Sequence, residues 1–211
     1  MSDSLRSFIY LASQSPRRQE LLKQIGVRFE MLLPSADEDS ESIETPLPYE
    51  KARVYVERVT LAKSAAALSR WRKSNLPWAP ILCADTTVSL PNSPDGEILG
   101  KPSNAADAAR ILNMLSGKVH EVLTAVAIAI DPTQKPTALV QVSQVQFADL
   151  SPEQIKSYIA SGEPFGKAGA YGIQGLGGTF IPSIQGSYSG IMGLPLYETQ
   201  QLLKIAGLTR V

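Results

Sequence analysis

Phe8-Ile9-Tyr10-Leu11-Ala12-Ser13-Gln14-Ser15-Pro16-Arg17-Arg18-Gln19-Glu20-Leu21-Leu22 is the stretch that decides the architecture. Residues 8–12 are continuously apolar, as in a strand covered on both faces. Ser15-Pro16 then sets an N-cap followed by proline at the first helical position, so a helix starts here, runs past Leu21, Leu22 and Ile25, and stops at Gly26. Residues 29–33 read as a second strand. A buried strand, a short loop, a helix and a second strand make a β-α-β start, the signature of an α/β protein.

Working outward, residues 47–71 carry apolar side chains at Ala52, Val56, Val59, Ala62 and Ala66, the spacing of a long amphipathic helix. Residues 81–84 and 87–90 are strand-like, and Pro91-Asn92-Ser93-Pro94-Asp95-Gly96 supplies turn chemistry before a return strand at residues 97–99, forming a hairpin. Asn104 caps an alanine-rich helix that ends at Ser116-Gly117. Residues 119–130 and 138–150 are long strands joined through Asp131-Pro132 and pair antiparallel. Ser151-Pro152-Glu153-Gln154 fits a capping box, residues 166–178 are glycine-rich, and a closing helix spans residues 195–206. The sum is one α/β domain over residues 1–211, a mixed central sheet flanked by helices.

Composition narrows the function classes. With 44% hydrophobic and 19% charged residues the chain folds. Twenty basic and twenty acidic residues cancel, which argues against a nucleic-acid surface. No apolar run approaches a membrane span and the N-terminus lacks the order of an export signal, so the cytoplasm is the expected location. The single cysteine, Cys83, sits in an apolar run and reads as a small buried hydrophobe. The single histidine, His120, excludes a two-histidine zinc site and reads as a strand-end residue outside the chemistry.

Four segments carry chemistry. Ser13-Gln14-Ser15-Pro16-Arg17-Arg18 joins a buried strand to a helix N-terminus, where free amides, the helix dipole, two hydroxyls and two guanidiniums suit an anion. Arginines in a first helical turn oppose the dipole, which itself points to function. Asp85, in Ala84-Asp85-Thr86-Thr87, is read as an acid where a buried strand meets its exit loop; such a residue caps a turn as often as it catalyses. Lys101, in Gly100-Lys101-Pro102, comes near Asp85 if the hairpin closes. Gly166-Lys167-Ala168-Gly169-Ala170-Tyr171-Gly172-Ile173-Gln174-Gly175 permits close backbone approach to a ligand, yet matches neither a Walker A loop nor a dinucleotide fingerprint.

In this order, these blocks closely resemble the Maf family of nucleotide pyrophosphatases, and Gly186-Ser187-Tyr188-Ser189-Gly190-Ile191-Met192-Gly193-Leu194-Pro195-Leu196 resembles that family's C-terminal signature. The resemblance implies an elongated two-lobed fold, similar to that of inosine-triphosphate pyrophosphatases, with the site in the cleft between lobes. It implies hydrolysis of a nucleoside triphosphate to the monophosphate and pyrophosphate with a divalent cation, Mg2+ or Mn2+. Carried over by position, Asp85 is the catalytic acid-base residue or a metal ligand and Glu38 a second acidic group at the metal. Lys63 and Lys101 bind phosphate, while Ser13, Arg17 and Arg18 grip the phosphates. Arg17, Thr86 and Gln174 match positions that separate substrate branches, and this set resembles the branch acting on dTTP and UTP. A pyrophosphatase for modified purines such as 7-methyl-GTP and a non-catalytic nucleotide sensor controlling septum formation are the alternatives. The resemblance also points to a homodimer.

Overall fold

The computed structural model describes residues 8–35, 42–90 and 98–208. The opening segment folds as read: β1 (Ile9–Leu11) is fully buried, α1 (Pro16–Gln24) follows at once, and β2 (Phe29–Met31) lies parallel to β1. α2 (Ala52–Arg72) begins later than the pattern suggested, because residues 47–51 are not helical. β3 (Ile81–Ser89) is one unbroken strand where two short runs were expected. It pairs parallel with β1 and antiparallel with β4 (Ile98–Leu99), so the hairpin forms, although its turn and Glu97 lie outside the described residues.

α3 (Ala105–Leu115) is capped by the Asn104 side chain, which accepts from the Asp107 amide. β5 (Val119–Ala129) and β6 (Thr137–Gln146) pair antiparallel over ten residues each, from Val119 opposite Gln146 to Ile128 opposite Thr137. α4 (Pro152–Ala160) carries the full reciprocal capping box of Ser151 and Gln154. β7 (Ser183–Gln185) and α5 (Tyr188–Met192) are short elements that the sequence pattern did not reveal, and α6 (Leu196–Ile205) closes the fold. The sheet runs β2-β1-β3-β5-β6-β7, with β4 beside β3.

Strand alternation splits the interior. Odd-numbered residues of β3 and β5 face α2: Ile81 and Cys83 pack near Ala67 and Leu68, and Leu123 and Ala125 against Tyr55, Val56 and Val59. Even-numbered residues face the other way into two clusters at opposite ends of the strands. Leu82, Ala84, Val126 and Ile128 meet Leu21, Leu22, Leu202 and Leu203 from α1 and α6. Val88 and Val122 meet Ile111, Leu112, Phe147 and Tyr158 from the α3–α4 end. These two clusters are the cores of two lobes hung on the same long strands. Between them lies a cleft of about 770 Å³.

Candidate active site

The cleft exists because β3 loses its neighbour. Along one edge it is paired with β1 only at Ile81 and Leu82, and with β4 only at Val88 and Ser89. The Ala12 amide still donates to the Leu82 carbonyl at 2.9 Å; beyond it the edge of residues 83–87 has no strand partner among the described residues. A side chain on either face of β3 reaches this gap, so Asp85 and Thr86, which point to opposite faces, line one cleft. Asp85 therefore stands in the middle of a strand, opposite Ala125, and not where a strand meets its exit loop. The exposure that a loop would have given it comes instead from the missing neighbour.

On the α2 face, the Lys63 ammonium lies 2.6 Å from Asp85 Oδ1 and 2.7 Å from Glu44 Oε1. The other Glu44 oxygen meets Lys101 Nζ at 2.8 Å. Lys101 thus reaches Asp85 through a chain of alternating charges rather than directly. Burial alone would raise the Glu44 carboxyl, but the two ammoniums overrule it and hold it below the ordinary glutamate value. Burial, reinforced by Asp85 and Glu44, pushes the Tyr55 phenol up to about 12, so it stays protonated and donates to the Glu44 carbonyl at 2.7 Å. Glu44 was not singled out from the sequence. Its one signal is Ile43, an isolated apolar residue in a polar stretch, which packs against the core under α2 and anchors the glutamate. Glu38 lies outside the described residues.

On the opposite face the contacts are neutral acceptors and backbone. Arg18 donates from Nε to the Gly193 carbonyl at 2.8 Å, from Nη1 to Ser13 Oγ at 2.9 Å and from Nη2 to Thr86 Oγ1 at 3.4 Å. Arg17 donates from Nε to the Met192 carbonyl at 3.2 Å. Burial lowers both guanidiniums from their usual value, and both remain cations. Thr124 spends its single hydroxyl proton on the Gly190 carbonyl at 2.7 Å, so the 2.9 Å contact between Thr86 and Thr124 obliges Thr86 to donate. The Thr86 oxygen is left as an acceptor towards Arg18 and the cleft. Ser15 occupies the N-cap of α1 but makes no side-chain cap; its own amide donates to Ser13 Oγ at 3.3 Å. The first amides of α1 are not covered by a capping side chain, as an anion site requires.

The glycine-rich segment closes the third side. Lys167, Ile173 and Gln174 line the cleft with Arg17, Arg18 and Lys101. Gly169, at φ +70, passes so close to Val88 that a Cβ would lie 2.7 Å from its Cγ2. Lys167 is lowered from its usual value by burial and by the neighbouring Arg17. Ser13, Arg17, Arg18, Lys63, Asp85, Thr86, Lys101 and Gln174, the residues named from sequence, all border this cleft. So does Arg70, which was missed and which donates to the Leu32 carbonyl at 2.7 Å. His120 does not; it is fully buried against Phe147 and bonded to Tyr171 at 2.8 Å, and burial pulls it down to about 4. Cys83 is buried and pushed up to about 11 by that burial, so it presents no thiolate.

A model of Maf-like proteins matches residues 8–206. The chain belongs to the Maf family. A protein of Burkholderia lata named dTTP/UTP pyrophosphatase is 57% identical over 94% of this chain and 92% of its own length. Proteins of the same name from Ralstonia nicotianae and Albidiferax ferrireducens are 57% and 53% identical, the first over 95% of both chains, the second over 96% of this chain and 98% of its own. The solved Staphylococcus aureus Ham1 protein matches at 17% identity with a TM-score of 0.42, covering 67% of this chain and 72% of that one. That likeness is too slight to add to the two-lobed α/β reading, which rests on this Maf chain's own sheet and clusters. Among the described residues no helix is long and apolar enough to cross a membrane.

Proposed function

We propose that this chain hydrolyses dTTP and UTP between the α and β phosphates, releasing the monophosphate and pyrophosphate. The observation that carries the reading is the meeting, in one cleft, of the Asp85 carboxylate with Lys63, Lys101, Arg17 and Arg18. Two acids, Asp85 and Glu44, among the six cations Arg17, Arg18, Lys63, Arg70, Lys101 and Lys167 suit a reaction that needs a proton acceptor for water and charge neutralisation for a polyanionic leaving group.

Asp85 accepts a proton from the attacking water, whose oxygen bonds to the α phosphorus. The bond from that phosphorus to the oxygen bridging α and β breaks, and the oxygen leaves with pyrophosphate. Lys63 and Lys101 release Glu44 to take up phosphate oxygens, so their charge moves from a carboxylate to the substrate. Arg17 and Arg18, their Nε groups fixed on backbone carbonyls, turn their remaining N–H groups to the phosphates. Ser13 and the open N-terminus of α1 complete the cradle.

The donor set fits a divalent cation. Asp85 and Glu44 place two carboxylate oxygens on one ammonium at 2.6 and 2.7 Å, and a hard cation such as Mg2+ takes one or two carboxylates together with phosphate oxygens and water. Asp85 and Glu44 would hold it, with Glu38 the further candidate. Bound there, such an ion supplies charge neutralisation at the phosphates and acidifies water.

Arg17, Thr86 and Gln174 govern the choice of base. The Gln174 amide offers one donor and one acceptor to the imide edge shared by uracil and thymine. The test is pyrophosphate release from a panel of nucleoside triphosphates with Mg2+. UTP and dTTP should lead in kcat/KM, and Asp85→Asn should abolish release while leaving nucleotide binding measurable. Full turnover by that variant, or a purine leading the panel, refutes the reading.

A further inference from the structure

The glycine-rich segment closes a turn of its own across Gln174, the Gly175 amide donating to the Gly172 carbonyl at 3.1 Å, but it is also held from outside. Two side chains from outside it grip it on either side of Gln174. Before Gln174, the Gly172 amide donates to the Tyr158 hydroxyl at 3.3 Å. After it, the Leu176 amide donates to Glu163 Oε2 at 2.8 Å and the Gly177 amide to Glu163 Oε1 at 2.9 Å. The two grips are one unit, because the Tyr158 hydroxyl donates to Glu163 Oε1 at 2.8 Å. Tyr158 comes from the buried face of α4 and packs edge-on against Phe180, so the unit is rooted in the core of its lobe.

Two of the glycines follow from this closeness. A Cβ at Gly175 would overlap the Glu163 carboxylate, and one at Gly177 would lie 2.7 Å from the Tyr158 hydroxyl. The Lys167 ammonium, which lines the cleft, donates to the Glu163 backbone carbonyl, tying the start of the same segment to the same residue. Burial would raise the Glu163 carboxyl, but the two amides and the phenol hold it below its ordinary value, so the grip is charge-assisted near neutral pH. Gln174 is exposed, as are Gly175 and Leu176 after it, and it lies between the two anchored ends.

We propose that Glu163, with Tyr158, is a positioning residue for base selection: it fixes the backbone on both sides of Gln174 so that the amide meets the imide edge of a pyrimidine. This rests on the reading of Gln174 given above. A loop free to move would carry the amide through many orientations, and the discrimination supplied by a directed hydrogen-bonding pair would average away.

The experiment is a double-mutant cycle read in substrate preference. The ratio of kcat/KM for UTP to that for GTP is measured for the wild type, Glu163→Gln, Gln174→Ala and the double variant. Glu163→Gln should lower the ratio about tenfold, mainly through a higher KM for UTP, and should add nothing in the Gln174→Ala background. Gly175→Ala, which crowds the same carboxylate from the loop side, should act in the same direction and keeps the test open if Glu163→Gln folds poorly. An unchanged ratio in both Glu163→Gln and Gly175→Ala overturns the proposal, as does an equal loss with and without Gln174. If Gln174→Ala itself leaves the preference intact, the assignment of Gln174 fails and the proposal fails with it, an outcome that this arm identifies on its own.

Discussion

The two faces of β3 solve opposite problems with opposite means. On the α2 face, Asp85, Lys63, Glu44 and Lys101 form a line of alternating charges in which every contact is between side chains. On the other face, Arg17 and Arg18 reach backbone carbonyls, and Thr86 and Thr124 pass one proton order to Gly190. A side-chain ion network exchanges partners at little cost, because a phosphate oxygen replaces a carboxylate oxygen on the same ammonium. A hydrogen bond to buried backbone has no such substitute. One face is built to change when substrate arrives, the other to stay as it is.

Removing a charge from the exchanging face should have the largest effect. Lys63→Ala leaves Asp85 and Glu44 without the cation between them and should lower kcat/KM for UTP about 10²- to 10³-fold, measured by pyrophosphate release, with urea stability little changed. A loss of folding instead of turnover would break the distinction between the faces.

Acid should strike the fixed side first. His120, beneath Tyr171 at the foot of the glycine-rich segment, is held neutral with its value near 4, against about 6.5 in an unfolded chain. Between those values the unfolded chain binds a proton that the folded one refuses, so stability falls as pH drops from about 6.5 towards 4, in total on the order of 3 kcal/mol. Urea midpoints at several pH values measure the slope, and His120→Phe should remove it.

Thr124→Val strips the donor from the buried Gly190 carbonyl and frees the Thr86 proton, which should cost about 1–2 kcal/mol in urea stability, with Thr124→Ser recovering most of it. The smallest effect is that of salt. Raising it from about 0.05 to 0.5 M should increase KM for UTP a few-fold through the charged face, with little change in melting temperature. Equal salt sensitivity of KM and stability would blur the contrast.

Local chemistry made much of this legible. The β1–α1 turn, the capped helices α3 and α4 and the long β5–β6 pair follow from periodicity and capping residues, and the cleft residues from a family pattern that spans the chain. What escaped was set by distance. Asp85 was read at a strand end because the polar pair Asp85-Thr86 interrupts the apolar run between residues 81–84 and 87–90, whereas β3 runs on through it, held by β5 on its far edge. Glu44 sits in a stretch without periodicity and gains its place only when Ile43 finds the core. Glu163 and Tyr158 look like ordinary residues at the end of a helix until the chain returns over them. Nothing near Arg17 or Arg18 announces that their Nε partners stand 175 positions later in the chain.

That separation makes the β1–α1 turn answerable to a remote part of the fold. The Nε groups of Arg17 and Arg18 are aimed by the carbonyls of Met192 and Gly193, at the junction of α5 and α6. A shift of that junction therefore re-aims both guanidiniums at once, although nothing in the turn itself has changed.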